Sequence, residues 1–132
     1  MGDNKDKVQA KKKILLVEDE ADLCKFMKLR FEREGFAVVV ANDGIEGFNK
    51  AKQEKPDIVI LDLMLPSLPG EEVCKKIRRD AFISVTPIIM LTAKGTDVDK
   101  VIGKVIGADL YIIKPFDGDK LIEEIRKLTG EK

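Results

Sequence analysis

The chain of 132 residues contains no histidine. That absence removes Ser-His-Asp chemistry, Cys-His chemistry and histidine-ligated zinc together. Cysteine is scarce. Cys24 and Cys74 lie far apart, each in an apolar helical pattern, and fit neither a metal spacing nor a disulfide framework. They are expected as buried thiols acting as small hydrophobes. No apolar run approaches the roughly 18 residues of a membrane span; Phe36 to Ala41 is among the longest. Met1 to Lys13 is polar and lacks an apolar centre, so no signal peptide is expected, and the protein is expected to be cytoplasmic. Net charge is also missing: Lys+Arg and Asp+Glu are both 24. Nucleic-acid-binding domains usually carry a basic excess, so direct contact with nucleic acid is not expected of this domain.

What is present is a folded core with a charged start. Hydrophobic residues make up 44% of the chain, enough for one domain of this length and too few for two. Residues 1–12 carry Lys5, Lys7, Lys11 and Lys12 against Asp3 and Asp6. They are expected to form a flexible basic tail ahead of one domain over residues 13–130.

Along that domain, short apolar runs alternate with helix-period runs. Ile14 to Val17 is continuously apolar, as a strand buried on both faces should be. From Ala21 to Glu34, apolar residues recur at Leu23, Cys24, Met27 and Phe31, an amphipathic helix ended by Gly35. Phe36 to Ala41 reads as the second strand. Asn42-Asp43-Gly44 opens a helix through Ile45, Phe48 and Ala51, closed by Pro56. Asp57 to Leu61 is the third strand, followed by a loop with Pro66, Pro69 and Gly70. A third helix holds Val73, Cys74 and Ile77, and Pro87 to Leu91 is the fourth strand. A fourth helix carries Val98, Val101, Ile102, Val105 and Ile106 on one stripe, interrupted by Gly103. Leu110 to Ile113 is the fifth strand, and a fifth helix from near Asp117 turns Leu121, Ile122, Ile125 and Leu128 inward. Five strands alternating with five helices predict an α/β fold, a doubly wound parallel sheet covered on both faces.

In such sheets ligands bind beyond the carboxyl ends of the strands. The first strand ends in Glu18-Asp19-Glu20, the third in Asp62, the fourth in Thr92-Ala93-Lys94 and the fifth in Lys114-Pro115. Any one of these alone is an ordinary turn or helix cap. Together they set several carboxylates at one sheet edge. Two unit charges about 4 Å apart repel by about 4 kcal/mol at an effective dielectric near 20. Either a carboxyl protonates or a cation shares the site. All-oxygen ligands favour Mg²⁺ or a similar hard ion. A carboxylate, a hard cation, a lysine and a hydroxyl suit phosphoryl transfer, where the protein positions groups and neutralises oxygen charge.

These segments resemble the receiver domain of bacterial two-component response regulators. The resemblance covers about Lys13 to Leu128. It is carried by Ile14 to Glu20 (ILLVEDE), Val59 to Pro66 (VILDLMLP), Met90 to Lys94 (MLTAK), Gly107 to Asp109 (GAD) and Tyr111 to Phe116 (YIIKPF). It implies a flavodoxin-like five-stranded sheet in the order 2-1-3-4-5. By position, it implies that Asp62 is the phosphoacceptor. Asp19, Asp62 and the Met64 main-chain carbonyl would bind Mg²⁺ directly, and Glu18 through a metal-bound water. Thr92 and Lys114 would each hold a phosphoryl oxygen, and Pro115 would follow a cis peptide. Thr92 and Tyr111 would form the switch, read out on the surface of the fourth helix, fifth strand and fifth helix. The implied partners are a sensor histidine kinase or a histidine phosphotransfer protein, and a downstream output domain or protein. The domain would be a monomer or a phosphorylation-dependent homodimer, a signalling phosphoprotein and not a turnover enzyme.

Other readings meet specific obstacles. A haloacid-dehalogenase-like phosphatase needs a second Asp two residues after the nucleophile, where this chain has Met64. A flavodoxin-type electron carrier needs a Ser/Thr-rich phosphate loop after the first strand, where Glu18-Asp19-Glu20 would repel a phosphate. A phosphorylation-independent binding module on the same fold has no need of the full acid, hydroxyl and lysine set. Lys94 reads equally as a shield above the phosphosite and as a solvated surface lysine.

Overall fold

The computed structural model describes residues 11–93 and 107–130. Its strands are β1 (Lys13–Val17), β2 (Ala37–Ala41), β3 (Ile58–Asp62), β4 (Ile88–Ala93) and β5 (Leu110–Lys114). Its helices among the described residues are α1 (Ala21–Arg33), α2 (Gly44–Glu54), α3 (Gly70–Arg79) and α4 (Gly118–Thr129). The helix expected over Val98 to Ile106 lies outside the described residues, and α4 is the one expected as the fifth. All strand pairs are parallel. The order is β2-β1-β3-β4-β5, the flavodoxin-like doubly wound arrangement.

Strand periodicity divides the core into two layers. Leu15, Val17, Val59, Leu61, Ile88 and Met90 face one side with Ala51 of α2 and Val73, Cys74 and Ile77 of α3. Ile14, Leu16, Ile58, Ile60, Ile89 and Leu91 face the other with Met27 and Phe31 of α1 and Leu121, Ile122 and Ile125 of α4. Both cysteines are buried and unpaired. No helix of the described residues is long and apolar enough to cross a membrane.

The helix run through Ile45, Phe48 and Ala51 forms as α2, with Gly44, Gly47 and Ala51 as its buried positions and Ile45 exposed. Small residues let this helix lie close on β1, with Gly47 against Val17. Asp62, Thr92 and Lys114, expected just past their strands, are strand residues. Their backbones continue the ladder, in the pairs Asp62↔Leu91, Thr92↔Ile113 and Ala93↔Lys114. Polarity in the sequence marks where burial by helices ends, and that point comes before hydrogen bonding ends.

Arg78, near the end of α3, ties three segments together. Its guanidinium donates to the carbonyls of Gly107 (2.7 Å), Ser84 (3.1 Å) and Thr86 (2.6 Å). It also pairs with Asp109 at 3.0 Å, whose carboxylate accepts the first amide of β4, Ile88 N–H, at 2.8 Å. Gly107 has a φ of +121°, and a Cβ there would stand 2.8 Å from Arg78 Cγ. Only glycine suits both the backbone and the space. The cluster fixes where β4 and β5 begin, and so where their far ends emerge.

Candidate functional site

At the carboxyl edge of the sheet, β1, β3, β4 and β5 deliver their terminal residues to one place. Glu18, Asp62 and Thr92 are the buried polar side chains of the described residues, with exposures of 1%, 6% and 1%. Lys114 reaches in from β5. Its Nζ donates to Asp62 Oδ2 at 2.9 Å and to Glu18 Oε1 at 3.2 Å. The remaining carboxylate oxygens take backbone donors: Met64 N–H meets Asp62 Oδ1 at 3.0 Å, and Glu20 N–H meets Glu18 Oε2 at 3.1 Å. Asp19 stands exposed at the mouth of a groove lined by Leu63, Met64, Leu65, Pro66 and Pro69. The Thr92 hydroxyl donates to the Ala93 carbonyl at 3.3 Å, a long bond for a hydroxyl.

The geometry suits a hard cation. Glu18, Asp19 and Asp62 each offer a carboxylate oxygen, and the three oxygens lie within 4.8 Å of one another. Among the described residues, three carboxylates stand against the Lys114 ammonium, an excess of negative charge that a divalent ion would balance. Burial pushes the Glu18 carboxyl up, and Asp62 adds to that, although the Glu20 amide and Lys114 pull it down. Burial opposes the Lys114 charge, but its bonds and charge pairing with Asp62 and Glu18 prevail and raise its pKa. Among the described residues, the candidate metal ligands are all carboxylate oxygens, as Mg²⁺ prefers.

A pH dependence follows. In metal-free buffer a carboxyl whose folded pKa is raised lets the folded state bind more protons than the unfolded state. Its contribution to stability is present below the usual pKa of 4.5 and is lost as pH rises through the raised value. Urea titrations of the wild type and Glu18→Gln in chelator should show this loss in the wild type alone. Parallel pH profiles would refute it.

Two supports were not legible in the sequence. Gly70, read only as a loop residue, packs directly on the Asp62–Leu63 backbone; a Cβ would stand 2.8 Å from Leu63 Cα. Its N–H also donates to the Leu63 carbonyl at 2.9 Å. Asn42, read as a helix opener, bonds the Glu18 carbonyl through Nδ2 at 3.2 Å. Its neighbour Asp43 caps α2 at Glu46 N–H (2.8 Å) and accepts the Ser67 hydroxyl (3.0 Å). One turn thus touches both the β1 end and the loop after β3.

The other expected residues fall as follows. Tyr111 lies half-buried on β5, opposite Met90, and burial raises its phenol pKa. The Lys114–Pro115 peptide is cis. Lys94 lies outside the described residues.

A doubly wound 2-1-3-4-5 sheet with acids at β1 and β3, a hydroxyl at β4 and a lysine at β5 defines a class of signalling domain. The chain belongs to the response regulator receiver domain family, whose model matches residues 14–126. It is 49% identical over 105 residues to the alkaline phosphatase synthesis transcriptional regulatory protein PhoP of Bacillus subtilis, covering 80% of this chain and 43% of that protein. The chain spans about half the length of the curated relatives it matches. Among solved structures it resembles the receiver domain of a Francisella response regulator (TM-score 0.82, 32% identity, 90% of this chain and 97% of that one). It also resembles the receiver domain of a sensor histidine kinase from Pseudomonas aeruginosa, solved with a magnesium ion coordinated in the active-site cleft (TM-score 0.84, 28% identity, 92% of this chain and 100% of that one).

Proposed function

We propose that this receiver domain accepts a phosphoryl group on Asp62 from a phosphohistidine of a sensor kinase or phosphotransfer protein. The observation that carries the reading is Lys114 bridging the buried Asp62 and Glu18 at 2.9 and 3.2 Å, with Asp19 within reach of the same point. An Asp62 oxygen attacks phosphorus in line. The P–N bond of the donor breaks, an acyl phosphate forms, and the departing imidazole keeps its electron pair and takes a proton. Lys114 moves from carboxylate to phosphoryl oxygen, and the Thr92 hydroxyl exchanges its long bond to Ala93 for a second oxygen.

Mg²⁺ would be held by Asp19, Asp62 and the Met64 carbonyl, with Glu18 behind a water, and it would neutralise oxygen charge. Phosphorylation would draw Thr92 inward and turn Tyr111, altering the surface of β5, α4 and the segment at 98–106 outside the described residues. That surface would signal to an output domain or protein, with the domain a monomer or a phosphorylation-dependent dimer. A domain with Met64 where a phosphatase places its acid/base would act as a switch rather than a turnover enzyme.

The test is phosphoryl uptake from acetyl phosphate or phosphoramidate, followed by intact mass with and without Mg²⁺. One phosphoryl per chain is expected, dependent on Mg²⁺ and mapped to Asp62. Uptake in chelator, or label on another residue, would sink the reading. Mg²⁺ alone should also stabilise the fold, by about 2.7 kcal/mol at a hundredfold excess over its dissociation constant. An unmoved urea midpoint at millimolar Mg²⁺ would contradict the metal assignment.

A further inference from the structure

Among the described residues, two that are not glycine hold a left-handed backbone: Lys55 at a φ of +45° and Ser67 at +65°. Lys55 closes α2, where a left-handed residue is common. Ser67 closes no helix. It is the centre of a three-residue turn in which Leu68 N–H donates to the Pro66 carbonyl at 2.7 Å, and a positive φ at such a centre is rare and strained. Strain of this kind persists only where neighbouring contacts over-determine it.

Those contacts come from the turn after β2. The Ser67 hydroxyl donates to Asp43 Oδ1 at 3.0 Å and accepts Ile45 N–H at 3.2 Å. Gly44 N–H donates to the Pro66 carbonyl at 3.1 Å, and a Cβ on Gly44 would strike the Leu68 carbonyl. Asp43 is itself fixed, since it caps α2 through Glu46 N–H at 2.8 Å. On its other side the same turn reaches β1, where Asn42 Nδ2 donates to the Glu18 carbonyl at 3.2 Å. One turn therefore grips two segments. The first carries Glu18 and Asp19, and the second follows Asp62 and Met64. These segments are the two halves of the proposed magnesium site, whose carboxylate oxygens lie within 4.8 Å of one another.

We propose that Ser67 is a positioning residue for Mg²⁺: its hydroxyl latches the loop after β3 to Asp43 and so holds the Met64 carbonyl in place against Asp19 and Asp62. The proposal rests on the metal reading above. Mg²⁺ demands near-ideal octahedral geometry at about 2.0–2.1 Å, so a small displacement of one ligand weakens binding. Asp62 lies in the β3 ladder opposite Leu91. Asp19 closely follows the end of β1. Met64 lies outside any strand. Before it, Leu63 N–H is held by the Leu91 carbonyl at 2.9 Å. After it, the chain is next held at Pro66 and Ser67 by the α2 turn. The latch thus acts on the ligand that the sheet does least to fix.

The test measures Mg²⁺ binding to the full chain by titration calorimetry, and stability by urea titration in chelator, for the wild type, Ser67→Ala and Ser67→Gly. Alanine loses both hydroxyl bonds and keeps the strain. Glycine loses the same bonds and relieves the strain, because it adopts a positive φ freely. Both variants should bind Mg²⁺ several-fold more weakly than wild type, below or near the lower end of the roughly 10–100-fold losses caused by removing partners that orient metal ligands. In chelator, Ser67→Gly should be the more stable of the two. Affinity would then follow the hydroxyl and not the stability of the fold. Wild-type affinity in either variant would overturn the proposal; if glycine is the one that retains it, Ser67 serves the fold alone. A wild type that binds no Mg²⁺ at millimolar concentration would instead overturn the metal reading, and this proposal with it.

Discussion

The Asp62→Asn protein is expected to take up no phosphoryl group from any donor while remaining folded. The amide keeps the shape of the carboxylate but has no anionic oxygen to attack phosphorus. Its fold should survive because Lys114 retains Glu18 as a partner at 3.2 Å. The change also removes one of two mutually repelling buried carboxylates, since Asp62 itself helps to push the Glu18 carboxyl up. Chemical denaturation should therefore show equal or greater stability in metal-free buffer, alongside complete loss of labelling. That combination separates a reactive residue from a structural one, because a structural carboxylate would be missed by the fold. Stoichiometric labelling of Asp62→Asn, or a large fall in its urea midpoint, would contradict the role.

Arg78→Ala should do the opposite, leaving the chemistry intact and weakening the fold. Arg78 serves three carbonyls and one carboxylate with its side chain 22% exposed. Its loss strands those acceptors and leaves Asp109 to hold Ile88 N–H without its counter-charge. Hydrogen bonds to charged groups are worth about 1.5–3 kcal/mol, and stranded partners cost a similar amount. These effects are not additive, so about 2–4 kcal/mol is expected for the residue as a whole. The urea midpoint should fall without a change in slope. Arg78→Lys should recover little, because one ammonium cannot span acceptors arranged around a planar fork. Folded Arg78→Ala protein should still label at Asp62. A midpoint within experimental error of wild type would show that the cluster is a passenger.

Asp62 and Arg78 also show how differently two residues can be read from a chain. Asp62 follows four apolar residues that fill a strand, so its place at a sheet edge is written in local order. Glu18, Thr92 and Lys114 have the same local mark, and the family resemblance joins them. Arg78 has no such mark. It sits among Lys75, Lys76 and Arg79 and reads as one more solvated charge on a helix face. Its partners are the carbonyls of Ser84, Thr86 and Gly107, and a carbonyl is the same in every residue, so sequence cannot announce it. Gly70 and Asn42 were visible as turn residues. Their contacts with the Asp62–Leu63 backbone and the Glu18 carbonyl depend on how loops return over the sheet. Ile45 is apolar yet exposed for a related reason: Gly47 sets the face of α2 that lies on Val17 of β1, while Gly44 packs against Leu68.

The sequence by itself determined the elements, their alternation and the chemistry available at the strand ends, because apolar periodicity and side-chain type are local properties. Only the tertiary structure decided that Lys114 bridges two particular carboxylates, that Ser67 is tied to Asp43, and which backbone carbonyls secure the frame. Those outcomes depend on distances between segments far apart in the chain, and such distances arise only when the two core layers close on the sheet.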